Sequence, residues 1–236
     1  MDETFDQLSA KVAEETEGIN RYNPGNIPLL EKLIDAMVSE KKYDKDVLLT
    51  TLKLFQLNTQ YYNEPVVVNI LLKTMTVFPR NDFAIAKYLL DTDKISTPEI
   101  KAVLLLGEIL ETCNFPVFWS IVRGDYVARE GNDEKYRSMS HLQKLIKSIP
   151  GFEDETRRYV SSVVDCTFQQ LEKTLLAKLL NVPVSKLPSY QREKGWLDSK
   201  TDNKYVFIAN HEDSVKSKNI DEKMTFESKL SIISDF

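Results

Sequence analysis

The sequence predicts a mostly α protein: a HEAT-like helical-repeat domain followed by a winged-helix domain with a small β wing. Two observations predict it. Amphipathic helix pairs begin near residues 27, 64 and 98, steps of 37 and then 34 residues. That period is typical of stacked helical hairpins, each burying its apolar face on the next. The stretch from Thr167 to Asn210 then reads as helix, turn, short helix, aromatic plug and strand. The expected division is a helical-repeat domain with its linking helix over 1–165 and a winged helix over 166–236.

Residues 1–22 read as one helix with Phe5, Leu8, Val12 and Ile19 on one side, ended by the turn composition of Asn23-Pro24-Gly25-Asn26. From Ile27 to Glu40, Leu30, Leu33, Ile34, Met37 and Val38 follow helical spacing, with Glu31, Lys32 and Asp35 opposite. Asp44 or Asp46 suits the cap of the next helix, whose stripe is Leu48, Leu52 and Phe55. Pro65 opens a third helix running to Phe78; Val67, Val68, Ile70, Leu71, Leu72 and Met75 make it apolar over most of its circumference, as expected of a central helix. Asn81-Asp82 is the expected cap of a shorter helix through Leu90. Thr97-Pro98-Glu99 combines a capping hydroxyl, proline in the first turn and an acid at the positive end of the helix. The helix it opens carries Ile100, Val103, Leu104, Leu106 and Leu110, and its Leu106–Leu110 fragment is similar to part of a tetratricopeptide repeat without the full signature. The next helix bears Phe118, Trp119 and Val122.

Between Gly124 and Ser140 large apolar residues thin out, which predicts a surface loop. A short helix over 141–149 follows, then one over 152–166 with Glu153, Asp154 and Glu155 in its first turn. In the C-terminal segment Phe168, Leu171, Leu175 and Leu179, flanked by Leu176 and Leu180, predict a helix stopped at Val182-Pro183. Ser185 is the expected cap of a second helix, ended by Gly195. Trp196 offers the aromatic plug, Asp202-Asn203 a turn, and Tyr205–Ile208 the single clear strand. Asn219-Ile220 is the expected return strand and 226–233 a last helix.

The chain has 31 basic and 36 acidic residues; 18 against 22 precede Gly151 and 13 against 14 follow it. Neither part carries the basic excess that phosphate binding usually demands, so autonomous nucleic-acid binding is disfavoured. No apolar run approaches the roughly 20 residues of a membrane span, and the acidic N-terminus has no secretion-signal pattern. Cys113 and Cys166 read as reduced core thiols in helices. His141 and His211 read as solvent-exposed, without zinc-ligand spacing around them. No Gly-x-Ser-x-Gly elbow or phosphate-binding glycine motif occurs, so no catalytic, metal or cofactor residue is assigned and no enzyme is expected. Two surfaces have a binding reading. Lys186, Arg192 and Lys194 decorate the second helix of the winged helix and suit a nucleic-acid or partner contact, against which stand Glu193 and the balanced charge of the segment. Tyr61, Tyr62, Phe115, Phe118 and Trp119 are either core or, where exposed, a protein interface.

Several ordered stretches resemble the subunit k family of the eukaryotic translation initiation factor 3 complex: Gly18–Pro24 (GINRYNP), Leu52–Gln56 (LKLFQ), Leu110–Phe115 (LETCNF), Phe118-Trp119, Gly151–Asp154 (GFED), Lys194-Gly195-Trp196 and Lys218-Asn219-Ile220. The segment 124–148 departs from the family by looking longer. The resemblance implies a PCI-type arrangement of helical domain and winged helix, related to subunits of the proteasome lid and the signalosome. It also implies a non-catalytic, peripheral subunit of a factor that binds the small ribosomal subunit and helps recruit mRNA, pairing with subunit l and attaching near subunit e. A cytoplasmic location, with a nuclear presence left open, goes with it. The alternatives are a proteasome-lid or signalosome subunit, or a winged-helix nucleic-acid-binding protein.

Overall fold

In the computed structural model, which describes residues 3–126, 139–199 and 202–211, the helix pairs lie where the repeat spacing puts them. α1 (Phe5–Glu15) is followed by a 3-10 turn, Gly18–Tyr22. The continuous helix expected to residue 22 is therefore broken, and Ile19 is 91 % exposed instead of joining Leu8 and Val12 in the core. The cause is local. Gly18 takes φ +61°, and the Asn26 amide donates to the carbonyls of Glu15 and Asn20 at 3.0 Å each, satisfying backbone that would otherwise continue the ladder.

α2 (Ile27–Ser39) and α3 (Lys45–Leu57) form the first hairpin; Asp44 caps α3, its Oδ1 accepting from the Asp46 and Val47 amides at 2.9 and 3.2 Å. α4 (Glu64–Met75) and α5 (Asp82–Tyr88) form the second. α4 is the central helix: it packs on α2, α3, α5 and α7, and every residue from Ile70 to Met75 is buried. It stops at Met75, short of the expected Phe78, in a run of turns before Pro79. After the single turn α6 (Thr92–Ile95), α7 (Pro98–Glu111) and α8 (Phe115–Arg123) complete the third pair, with Thr97 Oγ1 accepting from the Ile100 amide. α9 (Met139–Ser148) and α10 (Phe152–Thr167) close the array.

Asp82 is not a cap. It is buried, accepting the Tyr43 hydroxyl and the Lys45 ammonium at 2.8 Å each, and so ties the α2–α3 connection to the start of α5. Burial opposes its ionisation, but those two donors outweigh it and hold the carboxyl below its ordinary value. Gly107 of α7 meets the buried Phe83 ring of α5 so closely that a Cβ there would lie 2.1 Å from Phe83 Cζ. Phe115, Phe118 and Trp119 are core residues, whereas Tyr61 is exposed and Tyr62 packs edge-on to Phe55.

The C-terminal segment is a winged helix: β1 (Gln170–Glu172), α11 (Lys173–Leu180), a 3-10 turn, α12 (Leu187–Lys194), β2 (Leu197–Asp198) and β3 (Tyr205–Phe207). The sheet has the order β1-β3-β2, antiparallel throughout, with Leu171 opposite Val206 and Leu197 opposite Phe207. Among the described residues the strand expected over Tyr205–Ile208 is thus present as β3, joined by β1 and β2, which were not expected. The predicted helix from Phe168 loses its start to β1, because Leu171 is satisfied in the sheet, and α11 then buries Leu176, Ala177 and Leu180 while Leu175 is 42 % exposed. Ser185 lies within the 3-10 turn and Lys186 stands at the N-cap of α12, so the expected serine cap is absent. Gly195 ends α12 at φ +74°, as expected. The return strand expected at Asn219-Ile220, the helix over 226–233 and most of the 124–140 loop lie outside the described residues.

Neither cysteine is a core thiol. Cys113 occupies a left-handed turn between α7 and α8, and Cys166 sits on the outer side of α10; both are exposed and neither is in a disulfide. His141 is half-buried and contacts Glu99 through Nε2, and His211 is also half-buried, so neither matches the fully solvated expectation.

Two predictions follow from this packing. Gly107→Ala should destabilise the protein by about 1–3 kcal/mol through overpacking against Phe83, although alanine in an open helix gains roughly 1 kcal/mol over glycine; a raised melting temperature would contradict the contact. Asp82→Asn should cost about 1–3 kcal/mol at neutral pH. Because the native carboxyl titrates below its unfolded value, its contribution is complete above about pH 4 and lost as pH falls further. The denaturant-midpoint gap between the two proteins should therefore narrow on acidification, and a constant gap would refute the assignment.

Candidate functional site

The winged helix is fixed to the helical array through the carbonyl end of α11. Helix C-termini leave carbonyl groups without intrahelical partners. Here the array supplies the donors: Trp119 Nε1 of α8 gives 2.7 Å to the Leu179 carbonyl, and Arg157 Nε of α10 gives 3.2 Å to that of Leu180. The Arg157 guanidinium lies 5.1 Å from the Trp119 ring and is held by Glu153 and Asp154 of its own helix at 3.0 and 2.8 Å. Arg123 Nη1 donates 2.7 Å to Asn181 Oδ1 just beyond the helix. A cation at a helix C-terminus also complements the dipole.

A second anchor is Trp196. The turn at Gly195 swings the chain so that the Trp196 amide bonds the Gln191 carbonyl at 2.9 Å. Its indole is 3 % exposed, and Nε1 donates 2.6 Å to Asp165 Oδ1 of α10. Trp119 thus seats α11 against α8, and Trp196 seats the α12–β2 junction against α10.

The three basic residues singled out by the sequence are not gathered into one site. Lys186 is exposed in the 3-10 turn ahead of α12, Arg192 is exposed on the helix, and Lys194 is half-buried in its last turn. Arg192 and Lys194 are two positions apart and so about 200° apart around the axis, with Glu193 exposed between them. The Lys173 ammonium is taken up at 2.8 Å by Asp198 of the wing. Lys173 and then Gln191, which donates 2.9 Å, keep the Asp198 carboxyl below its ordinary value. The module therefore presents mixed charge rather than a basic stripe.

Two apolar features were not foreseen. Leu197, Tyr205 and Phe207 are exposed on the outer face of the sheet, and Leu175 and Val184 on the side facing α8. The signal for the first was the alternation Tyr205-Val206-Phe207 itself, since a strand that buries Val206 must turn both aromatics outward. Among the described residues no cluster of His, Cys, Asp and Glu is placed to hold a metal, and no helix is long and apolar enough to cross a membrane.

A model of the CSN8/PSMD8/EIF3K family matches residues 61–219, which take in the second and third helix pairs and the whole described winged helix. Among curated proteins, the chain is 45 % identical over 232 residues to eukaryotic translation initiation factor 3 subunit K of Brugia malayi, covering 98 % of each chain. It is 43 % identical to that of Caenorhabditis briggsae, over 94 % of this chain and 93 % of the relative. To the Homo sapiens protein of the same name it is 34 % identical over 97 % of each.

Trp196→Ala should destabilise the protein by roughly 3–5 kcal/mol, and Trp196→Phe by less, about 1–2 kcal/mol, for the lost bond to Asp165. Thermal or urea unfolding checks both; an unchanged midpoint for Trp196→Ala would mean that the indole does not seat the module.

Proposed function

Because the chain belongs to the CSN8/PSMD8/EIF3K family, we propose that it is a non-catalytic scaffold subunit of the translation initiation factor 3 complex, which binds the small ribosomal subunit and promotes mRNA recruitment. The observation that carries the reading is the end-to-end similarity to initiation factor 3 subunit K, 98 % of both chains for the Brugia malayi relative. Similarity of that extent spans the helical array and the winged helix together, so it concerns the whole shape and not one module. The proposed partners are subunits l and e, with the ribosomal subunit reached through the complex, and the proposed location is the cytoplasm, with a nuclear presence left open. The helical-repeat domain over 1–165 and the winged helix over 166–236 then act as two docking bodies on one support.

The physical side supports this role. A subunit that positions its neighbours needs modules held at a fixed angle, and the donors of Trp119, Arg157 and Trp196 provide that at the junction. Lys186, Arg192 and Lys194, spread around α12 and interrupted by Glu193, suit polar contacts at the rim of a protein interface better than a phosphate track.

A tagged chain expressed in its own cells should sediment with the initiation factor 3 subunits and with 40S ribosomal fractions. Recovery with proteasome-lid or signalosome subunits instead would overturn the assignment, as would a chain that runs alone. The purified chain should bind RNA weakly and without strong dependence on Lys186, Arg192 and Lys194. Tight binding with a steep salt slope, lost when those three are replaced by alanine, would favour the nucleic-acid-binding alternative.

A further inference from the structure

A groove of about 760 Å³ runs between α8 and α11, at the seam of the helical array and the winged helix. Trp119 and Ala177 line its floor, and Leu175 and Val184, 42 % and 49 % exposed, stand along its side. Arg123 and Lys178 are the charged side chains that line it, and no carboxylate does. Arg123 is already engaged by Asp125 at 3.0 Å and by Asn181, but Lys178 is exposed and its ammonium group makes no hydrogen bond or ion pair among the described residues. In a chain of net charge −5, an apolar groove whose free charge is positive is a local reversal.

We infer that this groove receives an acidic amphipathic helix from a neighbouring subunit, whose apolar stripe covers Leu175 and Val184 and whose carboxylate pairs with Lys178. This rests on the scaffold reading above. Three observations favour that occupant. The walls are two helices and the turn after α11, with no strand edge among them, so an added β-strand finds no ladder to extend. A helix laid in a groove instead brings its own apolar side chains, three or four positions apart, to an apolar wall, which Leu175 of α11 and Val184 of the turn after it provide here. The rim selects charge: a basic helix would meet Arg123 and Lys178, and like charges in an apolar setting are costly.

The test uses the full chain within the assembled complex. Carbodiimide coupling joins an amine to a carboxylate that is already in contact with it. Lys178 should couple to an Asp or Glu of another subunit, in a segment whose apolar residues recur at three- and four-residue steps. Leu175→Glu should weaken co-assembly about tenfold or more, while the isolated variant melts with the parent because Leu175 is half exposed. Coupling of Lys178 only to this chain, to a second copy of it, or to nothing would overturn the inference, and so would co-assembly of Leu175→Glu as tight as that of the parent. Failure of the parent chain itself to enter the complex is a different result, which removes the scaffold reading and this inference with it.

Discussion

The carbonyl end of α11 is the constraint on which the arrangement of this molecule depends. A short helix ending against the flank of a helical array must find donors for its last carbonyls or leave them buried and unpaired, which costs on the order of 1–3 kcal/mol each. Trp119 and Arg157 supply them. Both donors are themselves fixed: Trp119 by complete burial in α8, Arg157 by two carboxylates one turn back on α10 and by the indole beneath it. The winged helix is thus attached to the array by directional bonds set in packed surroundings, and the junction cannot slide without breaking them.

Around that junction the buried apolar side chains form one continuous cluster, from Leu8 in α1 to Ile208 after β3. α4 lies at its centre in the array, and the close approach of Gly107 to Phe83 lets α7 lie against the α4–α5 hairpin. Burying apolar surface of this extent is worth roughly 25 cal/mol per Å², but it is non-directional. The polar contacts that cross between elements, such as Tyr43 and Lys45 on Asp82 and Trp196 on Asp165, decide which of many compact packings is adopted.

The helical architecture was legible because its determinants are local. Asp44 and Thr97 stand directly before the helices they cap, and the stripes of α2, α3 and α4 repeat often enough to set a phase. What escaped the sequence depends on distance or brevity. Leu171 fits both a helical stripe and a three-residue strand, and only its pairing with Val206, 35 positions later, decides. Asp82 looks like a cap until Tyr43, 39 residues away, is seen to bond it. Ile19 has the right spacing for the face of α1, but Gly18 and the Asn26 amide take the chain out of the helix first. The α8–α11 groove was invisible for the same reason: its walls come from segments some 60 residues apart, and the exposed phase of Leu175 emerges only once β1 has displaced the start of the helix. The basic residues of α12 were legible as residues but not as an arrangement, since their spread follows from the helix geometry and from where α12 begins.

The central claim is that array and winged helix form one mechanical unit through α10 and the end of α11. Denaturant unfolding followed by far-ultraviolet circular dichroism, which reports mainly the helices of the array, and by hydrogen exchange of the Val206 and Ile208 amides, which reports the wing, tests it most directly. The account predicts coincident transitions with the same free energy. Loss of amide protection in the wing at markedly lower denaturant than loss of the array helices would contradict it.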